Sequence, residues 1–158
     1  MPATAKRVDP YITCYFGVEI NGIQEAVFRE CSGLESEIEV LSYEEGGVND
    51  HPHKLPGRVK FPNVTLKRGV TDSKDLWEWF SGGIKGQIKR KTVNIRLCNA
   101  KGEEVKRWSF DGAYPVKWTG PSLNATENSV AIETLELAHE GMAHEKTGTS
   151  CWLLKKKT

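Results

Sequence analysis

The sequence predicts a mainly β domain, an antiparallel barrel or sandwich with one flanking α-helix over about residues 72–82. Three observations carry that expectation. Short segments alternate apolar and polar residues with period two; Asn-Gly, Asp-Gly and Gly-Pro pairs punctuate them; and a helical period occurs in one stretch only, 61–83. Strands and helices do not alternate, and nothing repeats at a fixed interval, so a parallel sheet or a solenoid is not indicated.

Tyr11 to Ile20 sets Ile12, Cys14, Phe16, Val18 and Ile20 on one face, with Tyr11, Thr13, Tyr15 and Glu19 on the other. Asn21-Gly22 suits a type I′ turn, and Ile23 to Cys31 returns as the second strand with Ala26 and Phe28 inward. After Ser32-Gly33 the next strand places Leu34, Ile38 and Val40 on one face and Glu35, Glu37 and Glu39 on the other. That acidic row suits a solvated face, a channel lining or a surface meeting a basic neighbour. Glu44 to Arg58 holds three glycines and two prolines without a period, and reads as a long loop. Leu55 in so polar a segment implies that the loop docks on something.

Val64 and Leu66 alternate with Thr65 and Lys67 until Gly69. Asp72 is the expected N-cap, with Asp75 approximating a capping box. Leu76, Trp79 and Phe80 form the apolar face of the helix, and Gly82 and Gly83 its stop. Trp77 lies off that face, as a rim residue or a contact to another subunit. Beyond it Val93, Ile95 and Leu97 share a face, as do Trp108 and Phe110. Asp111-Gly112 reads as a second hairpin turn, followed by a strand aligning Tyr114, Val116 and Trp118, which Pro115 confines to an edge or to pairing on one side there. In the last long strand the apolar phase switches between Ile132 and Leu135, predicting a bulge or bend near Glu133-Thr134. The stretch from Glu140 onward has no strong period; Trp152, Leu153 and Leu154 could latch onto the body or a neighbour.

The length fits one domain, 1–158, large enough to bury a core without staples. With 22 basic and 21 acidic residues the net charge is +1, which argues against general nucleic-acid or anionic-membrane binding and leaves little repulsion between copies. No apolar run approaches a membrane span and residues 1–10 lack a signal-peptide core, so the expectation is a chain made in the cytoplasm that does not insert in a membrane. Cys14, Cys31, Cys98 and Cys151 form no CxxC pair and read as free thiols.

Nothing in the pattern specifies catalysis. His51-Pro52-His53 lacks the glycine and glutamate spacing of a cupin site, and His139 to His144 is one residue too long for HExxH. There is no Walker loop, GxSxG or GxGxxG. The basic runs Lys67-Arg68 and Lys89-Arg90-Lys91 have few aromatic neighbours and fit strand-end solvation better than a nucleic-acid track. The expectation is a chain that is not an enzyme and holds no metal or cofactor.

One series of segments is specific. Phe28-Arg29-Glu30-Cys31-Ser32-Gly33-Leu34, Tyr43-Glu44-Glu45-Gly46-Gly47, His53-Lys54-Leu55-Pro56-Gly57, Thr65-Leu66-Lys67-Arg68-Gly69 and Leu76-Trp77-Glu78-Trp79 occur in order. Trp108-Ser109-Phe110, Ala113-Tyr114-Pro115, Lys117-Trp118-Thr119-Gly120-Pro121 and the run Ile132 to Gly141 follow. Together they resemble the tail tube protein family of contractile phages and extracellular contractile injection systems, over residues 10–141, with 142–158 unassigned.

The resemblance implies a β subunit with one flanking helix, forming hexameric rings that stack into a hollow tube for DNA or effector cargo. Its implied partners are other copies of itself, a sheath protein, and baseplate and cap components. No catalytic or cofactor residue comes with it. Gly46, Gly47, Lys54, Leu55, Pro56 and Trp77 are then candidate contacts between subunits, and Glu35, Glu37 and Glu39 candidate lumen residues. Two other roles stay open: a tube initiator or baseplate ring of the same machine, and a monomeric β-barrel binding module.

Overall fold

A computed structural model describes residues 16–21, 28–44, 46–47 and 51–145. The expectations for Tyr11 to Tyr15, for Gly22 to Val27 in the first hairpin, for Cys14 and for the tail with Cys151 to Leu154 lie outside them. The described elements are β1 (Phe16–Ile20), β2 (Glu30–Ser32), β3 (Glu37–Tyr43), β4 (His53–Lys60), β5 (Val64–Gly69), α1 (Asp75–Ile84), β6 (Lys91–Cys98), β7 (Glu104–Thr119), β8 (Ile132–Ala138) and β9 (Gly141–Glu145). All pairings are antiparallel. One sheet runs in the order β1-β6-β7-β8-β5-β2 with β9 added on β7, and β3-β4 form a separate two-stranded sheet. The sheet does not close on itself among the described strands, and the arrangement is sandwich-like rather than a barrel.

β7 makes the fold. Its first half pairs with β6 on one edge (Ile95↔Trp108) and β9 on the other (Phe110↔Met142); its second half passes to β8 (Trp118↔Leu135). Asp111-Gly112, expected to reverse the chain, instead bends one 16-residue strand. Gly112 has φ +62°, and a Cβ there would meet Glu140 Oε2 at 2.9 Å, so glycine serves the bend. The dipeptide permits either outcome, and the strands available on each side decided between them. Beyond the bend β7 pairs with β8 through Pro115↔Leu137, with a register shift just after it, and Pro115 needs no donor on its other side.

The core gathers between the two halves of the sheet: Val18, Ile20, Val64, Leu66, Val93, Ile95, Phe110, Leu135 and Leu137, closed by Leu76 and Trp79 of α1. The helix starts three residues later than expected and runs through Gly82 and Gly83. Lys74 stands at its N-cap with no side-chain cap, because residues 72–74 are held from outside the helix: Arg68 Nη2 donates to the Ser73 carbonyl at 3.5 Å. At the other end Trp79 Nε1 donates to the Lys89 carbonyl (2.7 Å) and the Gln87 amide to the Gly82 carbonyl (2.8 Å), tying down a terminus that two glycines would leave loose.

The bulge expected in β8 is absent. Its register against β5 is continuous from Val64↔Leu137 to Gly69↔Ile132. Glu133 keeps the inward phase and is 8% exposed, and the 3% exposed Arg68 meets it across the sheet at 3.4 Å. The apparent phase switch was a buried carboxylate. A second network, on β1, β6 and β7, binds Arg107 to Glu104 twice (2.8 and 3.1 Å) and Arg96 to both Glu104 and Glu19. β9, which had no sequence period, is made a strand by β7 beside it. Cys31 is free, whereas Cys98 is disulfide-bonded, against the expectation of free thiols. Spacing along the chain carries no sign of a pairing that depends on tertiary proximity.

Candidate assembly surface

The segment expected to be a long loop is half of a hairpin. β4 covers His53–Lys60 and pairs with β3 through Ile38↔Val59, Val40↔Pro56, Leu41↔Leu55, Ser42↔Lys54 and Tyr43↔His53, with a register irregularity between Ile38 and Val40. β-branched and aliphatic residues of β3 supply the partner that the Pro- and Gly-containing β4 needs, which a reading of β4 alone cannot reveal. Gly33 sets where the hairpin leaves the body. It has φ +86°, and a Cβ there would lie 2.2 Å from the Asn63 carbonyl oxygen, so the chain passes directly over the start of β5.

Directly opposed residues share a face and successive residues alternate. Ile38, Val40, Pro56 and Val59 therefore lie on one face of the hairpin, and Leu41, Tyr43 and Leu55 on the other. Both faces are open: Ile38 is 57% exposed, Val40 58%, Leu41 53% and Leu55 52%. Among the described elements β3 and β4 pack extensively only on each other. A hairpin that merely bordered solvent would keep one face polar.

Of the residues singled out as contacts, Lys54, Leu55 and Pro56 lie together on exposed β4, and Gly46 and Gly47 lie exposed in the turn region beyond β3, Gly47 with φ +111°. Trp77 is elsewhere. It stands 47% exposed on α1, edge-on to Trp118 of β7 at 5.4 Å between ring centroids and 5.7 Å from Phe80. Phe80, expected inside, is only half-buried and belongs to this aromatic cluster. The three glutamates do not form one strand row. Glu35 precedes β3, Glu37 opposes Lys60, and Glu39 makes an ion pair with Lys60 at 3.7 Å. Sequence reasoning missed that β3 and β4 are one unit, although the apolar run Ile38, Val40, Leu41, Tyr43 already exceeded what a single buried face requires.

His139, His51 and His53 make contacts within the fold. His139 lies between the Pro62 and Gly141 carbonyls, 3.1 Å from Nε2 and 3.2 Å from Nδ1, against Phe110 and Phe61. His51 and His53 touch edge to face at 5.7 Å. An open cleft of about 630 Å³ beside α1 is walled by Asp75, Glu78, Lys85, Lys89 and Lys91, a mixture of signs that gives no directed field for one charged ligand. No helix among the described residues is long and apolar enough to cross a membrane.

No curated protein matches the chain by sequence. Three solved structures of extracellular contractile machines are similar over most of it. The anti-feeding prophage tube-terminating cap contains a chain 30% identical, with TM-score 0.81 over 93% of this chain and 100% of that one. The six-fold symmetrised baseplate of the same particle contains one 29% identical, with TM-score 0.80 over 89% and 98%. The sheath-tube complex of the PVC contractile injection system contains one 28% identical, with TM-score 0.79 over 87% and 93%. The family model of the T4-like virus tail tube protein gp19 matches residues 12–143, and the chain belongs to that family of structural tube proteins.

Proposed function

We propose that the chain is the inner tube subunit of a contractile injection particle or phage tail, assembling as six-membered rings that stack into a conduit for effector proteins or DNA. The observation that carries this reading is the β3–β4 hairpin, whose apolar side chains on both faces find no cover among the described residues. Covering one large aliphatic side chain contributes roughly 1.5–3 kcal/mol, so a ring of such contacts has a strong drive to form. The role is mechanical and non-catalytic, and the chain is made in the cytoplasm before joining its particle. Leu55 and Pro56, with Lys54 at their margin, form the reach toward another copy, Gly46 and Gly47 shape its tip, and Trp77 gives a second contact on α1. A sheath around the tube and cap and baseplate parts at its ends complete the assembly.

Glu35, Glu37 and Glu39, at the base of the hairpin, are proposed to face the bore. An acidic wall there repels nucleic acid and acidic cargo and lets it slide. Replacing all three with Lys is expected to retain acidic cargo in purified particles; unchanged release would count against that placement.

Light scattering with negative-stain microscopy tests the main reading. The expected result is rings and tubes from the wild-type chain, and Leu55→Asp subunits that fold but form no tubes; tubes of normal length from that variant would refute the contact. The similarity to chains in cap and baseplate assemblies favours one second reading, a ring component that starts or ends the tube, and rings that never stack would select it.

A further inference from the structure

We infer that Cys98 is bonded to Cys14, so that an oxidative tie fastens β1, the end strand of the main sheet, to the end of β6. The inference stands apart from the tube reading, and it assigns a partner to a disulfide whose other half lies outside the described residues.

The chain has four cysteines, at 14, 31, 98 and 151. Cys98 is disulfide-bonded and Cys31 is free, which leaves Cys14 and Cys151 as the candidates. Strand order separates the two. β6 lies between β1 and β7, and β9 is added on the other edge of β7. The chain leaving Glu145, which opposes Arg107, therefore has β7 between it and Cys98. On the other side no strand intervenes. Phe16 opposes Leu97, the residue before Cys98, and Cys14 stands two residues upstream of that pair on an antiparallel strand. Neighbouring strands lie about 4.8 Å apart with a rise of about 3.4 Å per residue, so continuing the register brings the Cα of residue 14 to roughly 6 Å from that of Cys98, inside the range a disulfide spans. The register of β6 against β7 shifts between Leu97 and Cys98, which releases the Cys98 side chain from strict alternation at the place where the sulfurs meet.

Cys31 does not compete for the bond. Exchange proceeds through a thiolate, and burial with the Glu30 carboxylate pushes the Cys31 thiol up to about 12. Closing the tie takes two electrons and two protons from the Cys14 and Cys98 thiols; an external disulfide such as oxidised glutathione accepts them and leaves as two thiols. Cys98 is 1% exposed, so its sulfur is shielded from external thiols and the closed tie is slow to reopen. The loop it closes runs from β1 through α1 to β6, a long constraint on the unfolded chain. Cytosolic thiol pools keep such pairs reduced and oxidising surroundings let them persist, so a subunit passing from one to the other gains a fastened strand.

Peptide mapping tests the assignment. The purified chain is equilibrated in excess oxidised glutathione, unfolded in N-ethylmaleimide to block the remaining thiols, and digested without reduction for mass spectrometry. The expected result is one crosslinked peptide pair containing Cys14 and Cys98, with Cys31 and Cys151 in no protein crosslink. A Cys98–Cys151 pair, a link between two copies, or the absence of any crosslink overturns the inference. The thermal midpoint of the oxidised wild-type chain should also lie roughly 5–15 °C above that of the chain reduced with dithiothreitol. Cys14→Ser should abolish that difference and Cys151→Ser should keep it; the reverse pattern, or equal midpoints for the two wild-type forms, overturns the inference. Neither measurement requires assembly, so a failure here leaves the tube reading intact.

Discussion

The main sheet and the β3–β4 hairpin treat the same kinds of residue in opposite ways. In the sheet, even a charged pair is drawn inside: Arg68 and Glu133 sit at 3% and 8% exposure between strands whose apolar faces are fully covered. In the hairpin, valine, isoleucine and leucine stand in solvent on both sides. The sheet buries its apolar residues within one chain. The hairpin leaves its apolar residues open among the described residues, so on the proposed reading stability and assembly should be separable by mutation.

The largest effect is expected in the core. Phe110→Ala removes a fully buried ring at the bend of β7 and should cost about 3–5 kcal/mol in chemical denaturation of the dispersed subunit. Leu55→Asp in the hairpin should change that value by no more than about 0.5 kcal/mol while abolishing tubes. A large stability loss from Leu55→Asp would mean that the hairpin packs on its own body.

Glu133→Ala comes next. It removes the Glu133 carboxylate from beside the buried Arg68 guanidinium and should cost roughly 3–5 kcal/mol, somewhat less where water can enter beside Ser73. The double variant Arg68→Met with Glu133→Leu should recover most of that loss. No recovery would show that the pair does more than satisfy its own burial, for instance by positioning the start of α1.

The smallest effect separates the two regions by pH. Burial, and then the Glu30 carboxylate beside it, push the Cys31 thiol up to about 12 from an ordinary 9.0. The unfolded thiol ionises first as pH rises. Its neutral, folded form therefore contributes stability that is present below pH 9 and lost between about 9 and 12. Cys31→Ala should flatten the alkaline slope of stability measured at low protein concentration and leave the pH dependence of assembly through the hairpin unchanged.

Much of this was legible in sequence. The alternation of Val64 with Leu66 and of Val93 with Ile95, and the spacing of Leu76 and Trp79, gave strands and a helix that the structure contains, because burial of one face writes its period into the chain. The ordered series of segments from Phe28 to Gly141 gave the tail tube family, which the family match over residues 12–143 bears out. The candidate site was half legible. Leu55 in a polar segment points to a docking element, yet β4 is hidden by its own composition, since Pro56 and Gly57 are turn residues wherever no partner strand is known.

By itself, then, the sequence determined most of the extended segments, though not β4 or β9, which one is helical and that an apolar residue stands out of place near position 55. Only the tertiary structure decided that Gly112 bends a strand instead of ending it, that Glu133 points inward to Arg68, and that β3 and β4 join into an element open on two sides. The physical reason is one of range. Periodicity records the surroundings of a residue's own segment, whereas a bend, a buried ion pair and a strand pairing depend on groups brought close from distant parts of the chain.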